Sequence, residues 1–371
     1  MPYGSWDGFS RRGFLGSAAA AGLAGTTRVA AAARNRSPAA TKAFDLVLRP
    51  TRVFKTADRS HENTESWIFS LVVQTATPST FAPEAMKIDL LKGATLLRTV
   101  NYSAEGFAPL TYHTGLPPLL ADGSPSPTPI YWPFVVRLRQ TEPIALGVDT
   151  MRIEIDAKDA VGVTGRASIT APIETYQQKT ALIFPFKGKG VILQGGATNG
   201  GHRNRSGEFA LDAMGLDDAW SVEKPGDGKN NTDYPGWGRT LIAPADGTIV
   251  HARSDRPDQP VGDESNVDFY ADEFKKQGNG DPGNHLIIDH GAGEYSMMAH
   301  FMAGSMLVAT GDRVKQGQPL GKLGHSGDTT EPHCHYQLQN GPDWVNADAL
   351  PVKFTNVSEP VLDRGTFFEA K

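Results

Sequence analysis

His333-Cys334-His335-Tyr336-Gln337-Leu338 reads as a β-strand, and that reading organises the sequence around it. In a strand, residues i and i+2 point to the same face. The two imidazoles therefore project side by side into one space, and Cys334 turns to the opposite face as a small buried apolar residue. One imidazole can bind a metal while the other stays free for proton transfer. A bare H-x-H is only moderately specific, because a pair of surface or core histidines gives the same pattern.

The surroundings add weight. His300 ends a second expected strand, Ser296-Met297-Met298-Ala299-His300-Phe301. Further upstream, His202 and Asp212 flank a Gly-containing turn. Catalytic zinc takes three nitrogen or oxygen ligands from the protein and keeps a fourth position for water. His202, Asp212 and His335 would supply that set, with His300 and His333 unligated beside it.

The flanking sequence is β-rich. Gly311-Asp312-Arg313-Val314-Lys315-Gln316-Gly317-Gln318 reads as a hairpin, Asn284–His290 and Tyr295–Phe301 as strands, and Leu241–Val250 as another apolar run. In the N-terminal half, short apolar runs such as Phe44–Leu48, Trp67–Val73, Met86–Leu91, Phe134–Leu138, Met151–Ile155 and Val161–Ile169 are separated by turn residues. That spacing suits an antiparallel sandwich. The expected fold class is mainly β: an immunoglobulin-like β-sandwich accessory domain over 44–175, then an antiparallel β-sheet domain over 180–371. An acidic insertion is expected at 253–283, and a Pro-rich loop spans 117–133. Forty glycines and 26 prolines fit many turns and few long helices.

Composition excludes several classes. The formal charge of −5 offers little to a phosphate backbone, which argues against nucleic-acid partners. A single cysteine, Cys334, rules out an intramolecular disulfide and a thiolate zinc cluster. At the N-terminus, Ser10-Arg11-Arg12-Gly13-Phe14-Leu15 precedes a weakly apolar stretch and the run Ala30–Ala33. This reads as a twin-arginine signal peptide over 1–33, followed by a linker at 34–43. The apolar run is far shorter than the ~20 residues that span a bilayer. The expectation is export to the periplasm or the exterior, with no stable membrane insertion after signal removal.

Taken in order, the motifs resemble the lysostaphin-type (LytM-type) zinc endopeptidases of peptidoglycan. The resemblance rests on the upstream His202 and Asp212, Ile242-Ala243-Pro244-Ala245-Asp246-Gly247, the strand ending at Asp289-His290-Gly291, and Ala299-His300. It continues through the 311–318 hairpin and Gly324-His325-Ser326-Gly327 to His333-Cys334-His335, over roughly residues 195–345. It implies zinc held by His202, Asp212 and His335, catalysis by His300 and His333, and a peptidoglycan peptide as substrate. Two features depart from the family pattern. The usual spacing places a histidine four residues before the aspartate, where this chain has Glu208; His202 lies ten before. Imidazole preference favours His202, and Glu208 competes, because a carboxylate oxygen also binds zinc. Alternation along a strand through Glu208–Asp212 would put both on one face. In addition, Met298 stands where relatives carry a tyrosine, unless Tyr295 replaces it.

His285 and His290, in an apolar strand, suit packing or structural hydrogen bonds, while His325, in a Gly-rich turn, suits a cleft wall. Two other classes compete with the enzyme. The first is a zinc-less LytM-like binding protein that regulates other wall hydrolases, which loss of a ligand or a catalytic histidine would betray. The second is a swinging-arm carrier, suggested by the 311–318 hairpin but lacking a carrier lysine motif.

Overall fold

In the computed structural model, the described residues are 43–49, 52–57, 62–76, 79–107, 110–112, 131–195, 202, 206–224, 226–262, 281–344, 346–359 and 361–371. The expected signal peptide, the linker except its last residue, residues 117–130 of the Pro-rich loop and 263–280 of the acidic insertion lie outside them. No helix among the described residues is long and apolar enough to cross a membrane.

The N-terminal strands are β1 (Asp45–Arg49), β2 (Val53–Ala57), β3 (Thr64–Thr75), β4 (Phe81–Lys92), β5 (Thr95–Ser103), β6 (Thr111–Tyr112), β7 (Tyr131–Pro143), β8 (Thr150–Asp159) and β9 (Thr164–Thr175). One short helix, α1 (Ala104–Phe107), follows β5. The expected runs at 67–73, 86–91, 134–138 and 151–155 fall within longer strands, the run at 44–48 is shifted by one residue in β1, and that at 161–169 begins in the turn before β9, which starts at Thr164. β2 and β5 were not expected. Exposed and half-exposed residues dominate β5, so the alternation that marks a half-buried strand is weak there. In β8 the alternation is clear: Met151, Ile153, Ile155 and Ala157 are buried at every second position.

The strands form one path, β5-β4-β8-β9-β2-β3-β7-β6, with β1 beside β3. A wholly antiparallel arrangement is corrected at one place, since β9 pairs parallel with β2. β9 must run antiparallel to β8, to which a tight turn joins it, but no short connection fixes its direction against β2. Ile88, Ile153 and Ile155 from one end of the path share a single core with Phe69, Leu71, Phe134 and Val136 from the other.

The C-terminal strands are β10 (Gly188–Gly195), β11 (Leu211–Gly215), β12 (Thr240–Ile242), β13 (Gly247–Arg253), β14 (His285–Asp289), β15 (Tyr295–Ala299), β16 (Arg313–Val314), β17 (Pro319–Lys322), β18 (Cys334–Gln339), β19 (Ala349–Leu350) and β20 (Phe367–Ala370). Eight of them line up as β16-β13-β14-β15-β18-β11-β10-β20, with β19 beside β18, and β12 pairs with β17 in a separate ribbon. Cys334, Tyr336 and Leu338 of β18 point into the core with Leu211, Ala213, Leu286, Ile288 and Met298. The intervening residues of the same strands therefore share the other face.

The two sheets pack together. Phe54 of β2 and Ile68 of β3 belong to the C-terminal core. Phe54 meets Tyr176 edge-on at 5.3 Å and Phe209 at 6.4 Å between ring centroids. Glu294 accepts hydrogen bonds from the Tyr176 hydroxyl (2.5 Å) and from the backbone N–H groups of Lys179 and Thr180 (2.7 and 2.8 Å). This second packing face accounts for the burial of β3 on both sides, from Glu65 to Val73. Replacing a fully buried phenylalanine with alanine costs about 3–5 kcal/mol. Phe54→Ala should therefore lower the denaturant midpoint of the whole chain by a corresponding amount. An unchanged midpoint would mean that the two sheets are not held together through this ring.

Candidate metal and catalytic site

Three adjacent strands bring the candidate residues together. β18 lies between β15 and β11, and His335 is the direct register partner of Ala299 on one side and of Asp212 on the other. His300 follows Ala299 at the end of β15, and His333 immediately precedes β18. One ligand atom each from His202, Asp212 and His335 lie within 4.8 Å of one another.

The hydrogen bonds fix which nitrogen of His335 is free. On the polar face of β18, Gln339 Nε2 donates to the Gly341 carbonyl (2.6 Å) and Gln337 Nε2 donates to Gln339 Oε1. The Gln337 Oε1 lies 3.0 Å from His335 Nε2. A carbonyl can only accept, so the Gly341 oxygen sets the direction of the whole chain. His335 must then carry its proton on Nε2, which leaves a bare lone pair on Nδ1. That lone pair lies 2.9 Å from Asp212 Oδ1. A neutral ring would thus set two acceptors face to face, which a metal ion between them, or a second proton on Nδ1, relieves. The donor set therefore fits a metal that accepts nitrogen and oxygen ligands.

Asp212 is buried, and its other oxygen is 3.1 Å from His202 Nε2. Burial alone would raise the Asp212 pKa, but His202 and His333 hold its carboxyl well below the usual range. His202 lies off any strand, its ring edge-on to His335 at 4.7 Å.

Glu208 sits differently from the expectation of an alternating strand through Glu208–Asp212. β11 begins only at Leu211, and residues 208–209 form a turn. The Glu208 carboxylate is buried against Arg137 of β7, at 3.0 and 3.3 Å. Burial pushes its pKa up to about 7, with Arg137 and His202 opposing the rise. Its side chain thus meets a cation from the other sheet, whereas the His202 imidazole faces Asp212.

His300 and His333 share one arrangement. His300 Nδ1 donates to the Ser326 carbonyl (2.7 Å) and His333 Nδ1 to the Glu331 carbonyl (2.9 Å), so each turns its Nε2 away from the backbone. Their rings are 4.7 Å apart, and His333 Nε2 is 3.5 Å from Asp212 Oδ1. Burial, then His333 and His335, hold His300 well below its usual pKa; for His333, burial is outweighed by Asp212 and the pKa rises. The His300 backbone is left-handed, with φ of 62°, which is rare for a residue with a side chain and common at functional sites. The Ser326 carbonyl that orients it is held by close backbone packing. A Cβ on Gly283, itself at φ 61°, would lie 2.2 Å from that oxygen.

The other described histidines are tied into structure. His325 is fully buried, with Nδ1 2.7 Å from the Asn231 side-chain oxygen, and lies between two loops instead of forming an open wall. His285 donates to the Gly283 carbonyl and stacks on His251 at 4.8 Å. His290 bridges the Asp246 carbonyl and Ser296 Oγ. Met298 is packed in the core, and Tyr295 pairs with Asp289 at the far end of β15, so neither supplies the family's phenol. The sequence reading missed Gln337 and Gln339. Their signal was present as polar residues at period two from His335 in a strand otherwise apolar. It also missed Arg137, for which no local signal exists.

The family model for Peptidase family M23 matches residues 231–347. Residues 231–347 form a peptidase family M23 domain. The matched span contains His300, His333 and His335; His202 and Asp212 precede it. The chain is 45% identical over 60 residues to the peptidoglycan DD-endopeptidase ShyC of Vibrio cholerae, covering 16% of this chain and 13% of the relative. It is 38% identical over 56 residues to the peptidoglycan DD-endopeptidase ShyA of the same organism, covering 15% and 13%. The matches thus span about an eighth of each curated relative's length. The catalytic domain of the antimicrobial peptidase lysostaphin from Staphylococcus simulans overlays 34% of this chain and 82% of its own, at 20% identity and a TM-score of 0.22.

The amide chain behind the M23 domain's His335 gives a direct test. Imidazole nitrogen NMR of chelator-treated protein should show His335 always protonated on Nε2, with any second proton on Nδ1 towards Asp212. Gln337→Leu removes the acceptor and should yield a mixture of tautomers. A pure Nε2–H signal in both proteins would remove Gln337 from the account.

Proposed function

We propose that the chain is a zinc-dependent endopeptidase that hydrolyses peptide bonds in bacterial cell-wall peptidoglycan. The observation that carries this reading is the convergence of His202, Asp212 and His335 donor atoms within 4.8 Å, beside two imidazoles that both present Nε2. The zinc ligands would be His202 through Nε2, Asp212 through its carboxylate and His335 through Nδ1. Zinc bound there would lower the pKa of a water to about 7 and polarise the scissile carbonyl. The protein's own groups do the rest. With both Nδ1 protons committed to backbone carbonyls, one of His300 and His333 takes the proton of the attacking water through Nε2. The other, carrying a proton on Nε2, hydrogen-bonds the developing oxyanion. The similarity to peptidoglycan DD-endopeptidases in its best-matching stretch supports a wall peptide as substrate.

We assign residues 44–175 to an immunoglobulin-like β-sandwich accessory domain and 180–371 to the peptidase domain, a division supported by two cores that are separate except for Phe54 and Ile68, which pack into the second. The Ser10–Leu15 motif supports export by the twin-arginine route to the periplasm or the exterior.

Wall digestion followed by product analysis, with and without chelator, tests the proposal. The protein should contain one zinc, lose activity on chelation and regain it with added zinc. His335→Ala should lose bound metal. His300→Ala and His333→Ala should retain metal but lose about 10²–10⁴-fold in turnover, the usual worth of a positioned acid–base group. Activity unaffected by chelation, or metal content unchanged in His335→Ala, would refute the assignment.

A further inference from the structure

We propose that Arg137 of the N-terminal sheet is a positioning residue for the metal centre, so that the site is completed by the half of the chain outside the peptidase domain. This rests on the reading of His202 as a ligand. A ligating histidine almost always donates its other ring N–H to an oxygen, which fixes the ring's orientation. His335 has such an acceptor in Gln337, whereas His202 has none among the described residues. Its Nδ1 is buried with no hydrogen-bond partner among the described residues. Nor does a ladder hold it, since His202 lies off any strand.

Its anchor is at the backbone. Arg137 Nη1 donates to the His202 carbonyl and to Glu208 Oε2, both at 3.3 Å, and Nη2 meets Glu208 Oε1 at 3.0 Å. One guanidinium thus grips two points of the segment that leads into Asp212. The planar fork lets one side chain serve a carboxylate and a carbonyl in fixed directions. Glu208 has 3% of its side-chain surface exposed and Arg137 14%, so little water competes for either. Phe209, next to Glu208, packs on Phe54 of the same N-terminal sheet.

Arg137 is also placed by the register of its own strand. Val136 and Leu138 point into the N-terminal core, so Arg137 between them faces the other way, towards the peptidase sheet. The clamp is therefore in place only where these two sheets are docked, and it acts through the Arg137 guanidinium itself.

The test measures zinc affinity of the full chain by competition with a chromophoric chelator, together with thermal unfolding and the visible spectrum of the cobalt-substituted protein. Arg137→Met keeps much of the stem and removes the fork. It should bind zinc about 10–100-fold more weakly, the usual cost of losing a ligand's supporting partner, and shift the cobalt bands. Arg137→Lys, with its charge but no fork, should fall between. Tyr176→Phe, which loses a different contact between the sheets, should lower the unfolding temperature without changing zinc affinity. His202→Ala is the control for the underlying reading. If it binds zinc as the unaltered chain does, the ligand assignment fails and the clamp falls with it. If His202→Ala is weakened while folded Arg137→Met keeps the original affinity and cobalt spectrum, the ligand stands and the clamp is overturned. Should Arg137→Met not fold, Arg137→Lys and Glu208→Gln decide, and unchanged affinity in both overturns it.

Discussion

A carboxylate buried at the centre of the C-terminal sheet is the constraint from which the rest of the site follows. Removing a carboxylate from water costs several kcal/mol unless partners of opposite charge or good hydrogen bonds replace the water. Asp212 is nearly inaccessible, and what surrounds it is imidazole: His202 at 3.1 Å, His335 at 2.9 Å and His333 at 3.5 Å. Protons on these rings can neutralise it, and so can a metal. The two compete for the same lone pairs, which couples metal binding to pH. The amide chain through Gln337 and Gln339 biases the competition, because it places the His335 proton on the far nitrogen and leaves Nδ1 aimed at the carboxylate.

The strands divide the labour by face. Along β18, Cys334, Tyr336 and Leu338 anchor the strand in the core, and His335, Gln337 and Gln339 form a polar row on the other side. Groups mounted on packed strands are held more precisely than groups on loops. Asp212 and His335 gain that precision from their ladder. His300 and His333 stand at strand ends, where backbone carbonyls orient them. His202 alone has neither a ladder nor a partner for its second nitrogen among the described residues, so its placement depends on contacts made by its backbone.

What the sequence disclosed, and what it hid, follows from the range of each interaction. The His333–His335 pair was legible because a strand's period of two puts both on one face whatever surrounds it. The strands β8 and β18 were legible for the same reason. β5 was not, because few of its side chains are buried and its alternation is faint. A strand through Glu208 fits the sequence because Phe209 and Leu211 are apolar at period two, but β11 begins only at Leu211. The actual partner of Glu208 is Arg137, 71 residues earlier. No local pattern announces such a pairing, which exists only once two sheets meet. Cross-sheet contacts like this one, or Tyr176 with Glu294 across 118 residues, are set by tertiary packing and not by propensity.

That distinction bears on how the chain is divided. Two separate hydrophobic cores suggest two domains, yet Phe54 and Ile68 from the N-terminal strands belong to the C-terminal core, and residues 40–371 cluster as one compact unit. Cutting the chain between the sheets would expose two fully or nearly fully buried apolar side chains. It would also strand Glu208, whose buried charge would lose its guanidinium partner. Breaking a buried pair by removing one member is far more costly than never having built it. The penalty would fall on the turn that joins His202 to Asp212, the part of the site with the fewest other restraints. The N-terminal sheet is therefore better described as a wall of the site than as an appendage to it.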